Sequence, residues 1–329
     1  MNTVVVILTG LFFLSFFLTY IIKRLANRLN VVDIPNERSS HIIPTPRGGG
    51  LAIVITWYLG ISVFYYFNLI ENQLYFSLLC GALLAVISLV DDVVNLPPFF
   101  RLISQFITVL AAFIFLKGLE PVQLAGFEIG YNYILYPVTI IGMVWFINLY
   151  NFLDGIDGYV SIEAILVSVI LFIFSGNSIL LVLIACVLGF LIWNWPKAKI
   201  FMGDVGSTQL GFILVVLGIY FHNQQKFSIL QWLILTSPFW FDATLTLFRR
   251  WRNKEKLSQA HKKHAYQRIV QSGYSHLKTD LWLIMINLFI FLLIYVSDSF
   301  DYLILPVLFI TVILLYILTK QVDKKMPFN

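Results

Sequence analysis

Long apolar runs follow one another from end to end of this chain, broken by short polar islands. A helix needs about 20 mainly apolar residues to cross a bilayer, with a range of about 17–25. Runs of that size lie near 3–22, 50–67, 74–90, 102–119, 133–150, 159–175, 178–195, 208–222, 228–247, 280–297 and 302–319. Only 12% of residues are charged and 59% are hydrophobic, whereas a soluble domain carries about 25% charged residues. In lipid every backbone polar group must be satisfied within its own segment, so such runs become helices. The chain reads as an all-α polytopic membrane protein of about eleven transmembrane helices. It forms a single integral-membrane domain over 1–329. Cys80 and Cys186 both lie inside apolar runs and read as small hydrophobes, without a disulfide or zinc pattern. The first run lacks a basic leader and a small-residue cleavage site, so it reads as a retained helix.

Lys and Arg set the orientation. With the N-terminus outside, the inside segments include 23–49, 91–101, 151–158, 196–207 and 248–279. Of the 22 basic residues, only Lys117 and Lys226 then fall outside. This predicts a periplasmic N-terminus and a cytoplasmic C-terminus. The acids played no part in that assignment. Yet Asp91, Asp92, Asp154, Asp157 and Asp204 all land on the cytoplasmic side with His261, His264 and His276.

The densest island is N-L-Y-N-F-L-D-G-I-D-G-Y, residues 148–159. Amides and carboxylates around Gly155 and Gly158 suit a hard cation and phosphate oxygens. It lacks the closing Glu of a calcium-binding loop. A bland polar loop is the alternative, and the density of polar and Gly positions weighs against it. Asp91-Asp92 ends the third run, where carboxylates oppose the helix dipole. Neighbouring side chains on a helix diverge by about 100°, so the two need not share a partner. Two like charges together raise one pKa, which suits a general base. F-M-G-D-V-G-S at 201–207 places a Gly turn at a helix start. Its N–H groups favour an anion, while Asp204 repels one unless a divalent cation lies between. A simple helix cap at Asp204 or Ser207 is the rival reading. Arg47 before Gly48–Gly50 reads as a phosphate-contacting helix entry, a weak signal when alone; Ser39, Ser40 and His41 lie just upstream. His261 and His264, spaced i, i+3, read with Arg268 as a cationic surface for a diphosphate. Ordinary juxtamembrane charge accounts for Arg249–Lys256.

P-T-P-R-G-G-G, D-D-V-V-N-L, N-L-Y-N-F-L-D-G-I-D-G and F-M-G-D-V-G-S, in this order, resemble the blocks of the polyprenyl-phosphate N-acetylhexosamine-1-phosphate transferases, over roughly Asp33 to His276. The resemblance implies a fold of ten or eleven helices in the bacterial cytoplasmic membrane. It implies transfer of a sugar-1-phosphate from a UDP-sugar to undecaprenyl phosphate, with release of UMP, initiating O-antigen, capsule or other envelope polysaccharide. It implies Mg²⁺, with Mn²⁺ as substitute, on Asp204 and Asn151. Asp91, Asp92 and Asp154 are the implied catalytic acids. Arg47, Arg101, Asp157, Phe201, His261, His264 and Arg268 are the implied substrate contacts, Asp157 and Phe201 at the uracil. Some members form homodimers, and no nucleic-acid partner is expected. Members that load the muramoyl pentapeptide carry three adjacent histidines where this chain has His261-Lys262-Lys263-His264, which argues against that role. A lipid or sugar transporter is the reading from another class. It predicts ionisable groups at mid-membrane in broken, pseudo-symmetric helices, whereas these carboxylates sit at helix ends on one side.

Overall fold

The computed structural model describes residues 2–35, 43–94, 96–124, 127–257, 259, 261–298 and 301–328. Ser39, Ser40 and His41 lie outside the described residues. The fold is almost wholly helical. In chain order the helices are α1 (Asn2–Arg28), α2 (Gly50–Tyr66), α3 (Asn72–Leu79), α4 (Gly81–Val94), α5 (Pro98–Phe115), α6 (Asn132–Phe152), α7 (Tyr159–Ser175), α8 (Ile179–Asn194), α9 (Asp204–Asn223), α10 (Ile229–Leu235), α11 (Ser237–Arg252), α12 (Ala265–Gln271), α13 (His276–Ser297) and α14 (Ile304–Lys325). Two short antiparallel ribbons complete it. β1 (Val32–Asp33) pairs with β2 (Thr45–Pro46), and β3 (Val122–Leu124) pairs with β4 (Phe127–Ile129).

Each expected run falls on helix, and the ends shift for local reasons. Pro98 starts α5 four residues before the apolar run, because a first-turn proline gives up an N–H that has no partner there. α9 starts at Asp204, not at 208, so the polar turn is itself the helix N-terminus. α3 and α4 meet at Cys80, whose backbone is helical, and act as one span. α10 and α11 meet at Thr236, two residues before Pro238, which cannot donate to the preceding turn. Among the described residues, seven helical spans are long and apolar enough to cross a membrane: α1, α3–α4, α5, α6, α9, α13 and α14. α2, α7 and α8 are apolar but shorter.

α9 forms the axis of the bundle. Every residue from Val205 to His222 is buried. α2, α4, α6, α7 and α10 pack around it. The outer helices instead expose large apolar side chains, among them Phe13 and Phe17 on α1, Phe106 and Ile114 on α5, and Phe309 and Ile313 on α14. Such surface is tolerable only against lipid, so this is a multi-pass membrane protein. Without a hydrophobic drive between helices in lipid, close backbone approach supplies the packing. Glycines on α9 provide it. A Cβ on Gly206 would sit 2.7 Å from the Gly50 Cα, one on Gly211 would sit 3.0 Å from the Ile147 Cα, and one on Gly218 would strike the Trp232 indole at 2.5 Å. At the α2–α9 crossing backbone meets backbone: a Cβ on Gly50 would come within 2.4 Å of the Gly206 Cα. Backbone cannot yield as a flexible side chain can. Gly50→Ala is therefore expected to destabilise by about 1–3 kcal/mol or more. A thermal melt of the detergent-solubilised protein checks this, with Gly10→Ala, which meets nothing within 4 Å, as the control.

Candidate functional site

The polar islands meet at one end of the bundle. Gly203 adopts φ 80°, ψ 170°, a conformation open to glycine, and so turns the chain into α9. The backbone on either side of this turn pairs with the entry to α2. Phe201 N–H donates to Pro46 O at 2.8 Å, Gly49 N–H to Phe201 O at 2.9 Å, and Gly50 N–H to Met202 O at 2.8 Å. The R-G-G-G and F-M-G-D motifs thus form one unit, and the N-termini of α2 and α9 lie side by side. Two helix N-termini together favour anionic groups.

Charges alternate around this unit. Asp92 pairs with Arg47 at 2.6 Å, and Asp91 with Arg101 at 3.0 Å. Arg101 also reaches to 3.8 Å from Asp204. The adjacent acids diverge as the helix dictates, and each takes its own arginine. Asp91 further accepts the Leu96 N–H at 2.7 Å, which fixes the link into α5. Both guanidinium groups remain close to half exposed. Asp154 lies beside the Gly203 amide. Burial and the Asp204 charge push its carboxyl up to about 7.

A cleft of about 770 Å³ opens from this point between α4, α5, α6 and α9, with α11 and the segment after it at the side. Asp91, Arg101, Asn148, Asn151, Asp204, His261 and His264 line its polar part. Leu84, Ile87, Leu102, Phe106, Ile141, Val144 and Trp145 line its apolar part. Asn148 and Gln105 exchange amide hydrogen bonds of 2.7 and 3.2 Å, so two amides inside the bundle satisfy each other.

Among the described residues no group of three or more His, Cys, Asp or Glu side chains could hold a metal alone. Mg²⁺ keeps several waters and takes one or two carboxylates together with substrate phosphates. The donors present fit such a role. Asp204 offers a partly exposed carboxylate on the cleft wall. The Ser207 hydroxyl donates towards the Gly203 and Asp204 carbonyls, so it can only accept from Asn151 Nδ2, at 3.1 Å. The Asn151 amide oxygen is thereby the atom left for a ligand.

Other expected site residues lie elsewhere. Asp157 Oδ2 accepts the Ala198 N–H at 3.1 Å and sits 3.1 Å from His276 Nδ1, holding the approach to the 201–207 turn. Phe201 docks on Pro46 through its backbone; neither Asp157 nor Phe201 lines the cleft, and Arg47, Asp92 and Asp154 also stand outside its lining, grouped around Asp204. Arg268 does not stand with the two histidines at the cleft. It is buried, donating to Asp323 at 2.7 Å and to Met326 O at 2.9 Å. His261 is neutral rather than cationic, because burial, His264 and Arg250 lower it to about 4. Sequence reasoning passed over Gln105, Glu163, Asp242 and Asp280. Glu163 accepts from Asn287 at 2.7 Å. Both Asp280 oxygens are buried without a partner among the described residues. The signal of the three acids was present: an ionisable residue within an apolar run is a functional candidate by default.

The His261 shift has a definite sign. Unfolded, the ring takes a proton near pH 6.5; folded, it resists until about 4. Its contribution to stability is therefore present above pH 6.5 and is lost as pH falls towards 4. His261→Gln is expected to flatten that part of the melting-temperature profile against pH.

Comparison with known proteins matches the region that holds three of the four blocks. Residues 74–222 match the model described as Glycosyl transferase family 4. A Bacillus subtilis (strain 168) protein named probable undecaprenyl-phosphate N-acetylglucosaminyl 1-phosphate transferase is 31% identical over 95% of this chain and 91% of its own length. The decaprenyl-phosphate N-acetylglucosaminephosphotransferase of Mycobacterium leprae (strain TN) is 28% identical over 82% of this chain and 77% of its own. The phospho-N-acetylmuramoyl-pentapeptide-transferase of Streptococcus pneumoniae serotype 19F (strain G54) is 31% identical over 55% of this chain and 60% of its own. An all-helical membrane bundle with three polar motifs lining one cleft and the fourth paired to the Phe201–Asp204 turn, with a relative of that identity along nearly its whole length, belongs to glycosyl transferase family 4.

Proposed function

We propose that this chain transfers an N-acetylhexosamine-1-phosphate from a UDP-sugar to undecaprenyl phosphate, releasing UMP, in the synthesis of a cell-envelope polysaccharide. The observation that carries this reading is the cleft, with Asp204, Arg101 and Asn151 at one end and apolar walls at the other. A polyprenyl phosphate has that same polarity. The names of the relatives supply the acceptor class and the sugar class. The chain acts as one membrane unit of eleven crossings, with a periplasmic N-terminus and the cleft's polar end facing the cytoplasm, where UDP-sugars are found.

An oxygen of the lipid phosphate attacks the β-phosphorus of the UDP-sugar. The bond from that phosphorus to the bridging oxygen breaks, and UMP departs with the oxygen. Little covalent help is needed; positioning and charge neutralisation dominate. Arg101 and Arg47 neutralise phosphate oxygens while Asp91 and Asp92 hold the two guanidinium groups in place. Asp154, held up to about 7, is suited to take a proton from an acceptor that arrives as its monoanion. Asp204 and the Asn151 oxygen would hold Mg²⁺, which would supply charge neutralisation for the diphosphate.

The pentapeptide-loading relatives favour a second donor, UDP-N-acetylmuramoyl pentapeptide. Membranes carrying the chain are given radiolabelled UDP-GlcNAc, UDP-N-acetylfucosamine, UDP-N-acetylquinovosamine or the pentapeptide nucleotide, with undecaprenyl phosphate. Label should enter lipid from an N-acetylhexosamine donor, disappear with a chelator, and fall on the order of 10²-fold or more in Asp204→Asn. Label from the pentapeptide donor alone selects the second reading. No lipid-linked label from any donor contradicts both and favours transport.

A further inference from the structure

Asp242 stands in the middle of α11, in F-W-F-D-A-T, and is buried. Its two oxygens accept the Ala265 N–H at 2.9 and 3.0 Å, and Oδ1 also accepts the Thr246 hydroxyl at 3.2 Å. This acid fastens the start of α12 to α11. The residue just before that start is His264.

The His264 ring is 2% exposed, lines the cleft, and directs Nδ1 to 3.8 Å from Asp242 Oδ1. That nitrogen is buried without a hydrogen-bond partner among the described residues. Buried ring nitrogens normally have one. At 3.8 Å the pair is just beyond hydrogen-bond range, and a movement of under about 1 Å closes it. Such contacts are often long before ligand binds and tighten in the complex. The ring plane is held on both sides. His261 lies at 4.9 Å, and Tyr266 lies at 5.9 Å with 19° between planes. Tyr266 in turn stacks on Tyr159 of α7 at 4.6 Å. The two ring nitrogens face opposite ways. With Nδ1 turned to Asp242, Nε2 is the one able to meet a ligand in the cleft.

We propose that Asp242 is a positioning residue for His264. Its carboxylate takes the Nδ1–H as the donor enters, which fixes the ring orientation and presents Nε2 to the nucleotide-sugar. The ionisable groups facing the ring are Asp242 on α11, His261 on the same segment, Tyr266 on α12 and, behind it, Tyr159 on α7. Among the described residues no Lys or Arg side chain pairs with Asp242, and the His264 ring is its neighbour at 3.8 Å. The pairing is therefore between Asp242 and His264.

The proposal rests on the transferase reading, and a double-mutant cycle separates the two. Asp242→Asn, His264→Gln and the double variant are compared in the transfer assay. Asp242→Asn should lower kcat/KM for the UDP-sugar by about 10- to 100-fold, as loss of a group that orients a functional histidine does. KM for undecaprenyl phosphate should not move, and the loss should persist at temperatures well below the variant's melting temperature, which the weakened α11–α12 contacts can lower. On the His264→Gln background the same change should cost less than about threefold, because the residue it orients is already gone. Equal losses on both backgrounds, or no loss on the first, overturn the proposal while wild-type turnover leaves the transferase reading standing. Absence of wild-type turnover with every donor removes both. Should Asp242→Asn fail to fold, Asp242→Glu keeps the charge and displaces it by one methylene, and the same non-additivity is expected of it.

Discussion

The Asp91–Arg101–Asp204 contact sets the terms for the rest of the molecule. Asp91 ends one membrane helix, Arg101 opens the next, and Asp204 opens the central one. Carboxylates at the edge of a bilayer are costly unless each has a cation or an N–H within reach. This arrangement supplies Arg101 and Leu96 N–H to Asp91, Arg47 to Asp92, and Arg101 near Asp204. The guanidinium groups stay half open, so the same contacts that hold three helix ends together leave positive charge facing a cleft. Surface ion pairs are weak supports of stability. The tightness comes from the glycines of α2 and α9, which bring the two backbones together beneath the charges.

That division of labour explains the cleft's polarity. α9 is buried along its length, so it cannot present an apolar surface to lipid, and it can present its polar N-terminus to a site. α4, α5 and α6 are only partly buried, and between them they form walls that are apolar away from Asp204 and polar beside it. A substrate with a lipid tail and a phosphate head meets each part with the matching surface.

The helices and the polar islands were legible in the sequence because hydropathy and turn residues are local properties. Long-range partners were not. Arg268 reads as a free cation beside two histidines, yet its partner Asp323 lies in the last helix, and nothing local signals that pairing. Asp157 reads as a ligand contact, and its Oδ2 accepts the Ala198 N–H beside His276, whose Nδ1 accepts the Asp157 N–H. The histidine spacing correctly placed His261 and His264 together, but burial decided the charge of His261, and burial is a property of the folded chain. Asp242 and Glu163 were hidden by the strength of the apolar runs around them. Once a stretch is read as membrane helix, a lone acid within it is easily passed over, although that is where an acid carries most information.

The central claim is that one cleft takes the prenyl chain along its apolar walls and brings the phosphate to Asp204. Photo-crosslinking with an undecaprenyl phosphate analogue bearing a photoreactive group in its first isoprene units tests it most directly, with labelled peptides read by mass spectrometry. The account predicts label on cleft-facing residues of α4, α5 and α6, such as Ile87, Leu102 and Trp145, displaced by unmodified undecaprenyl phosphate. Label spread over the outward faces of α1 and α14, with no displacement from the cleft, would contradict it.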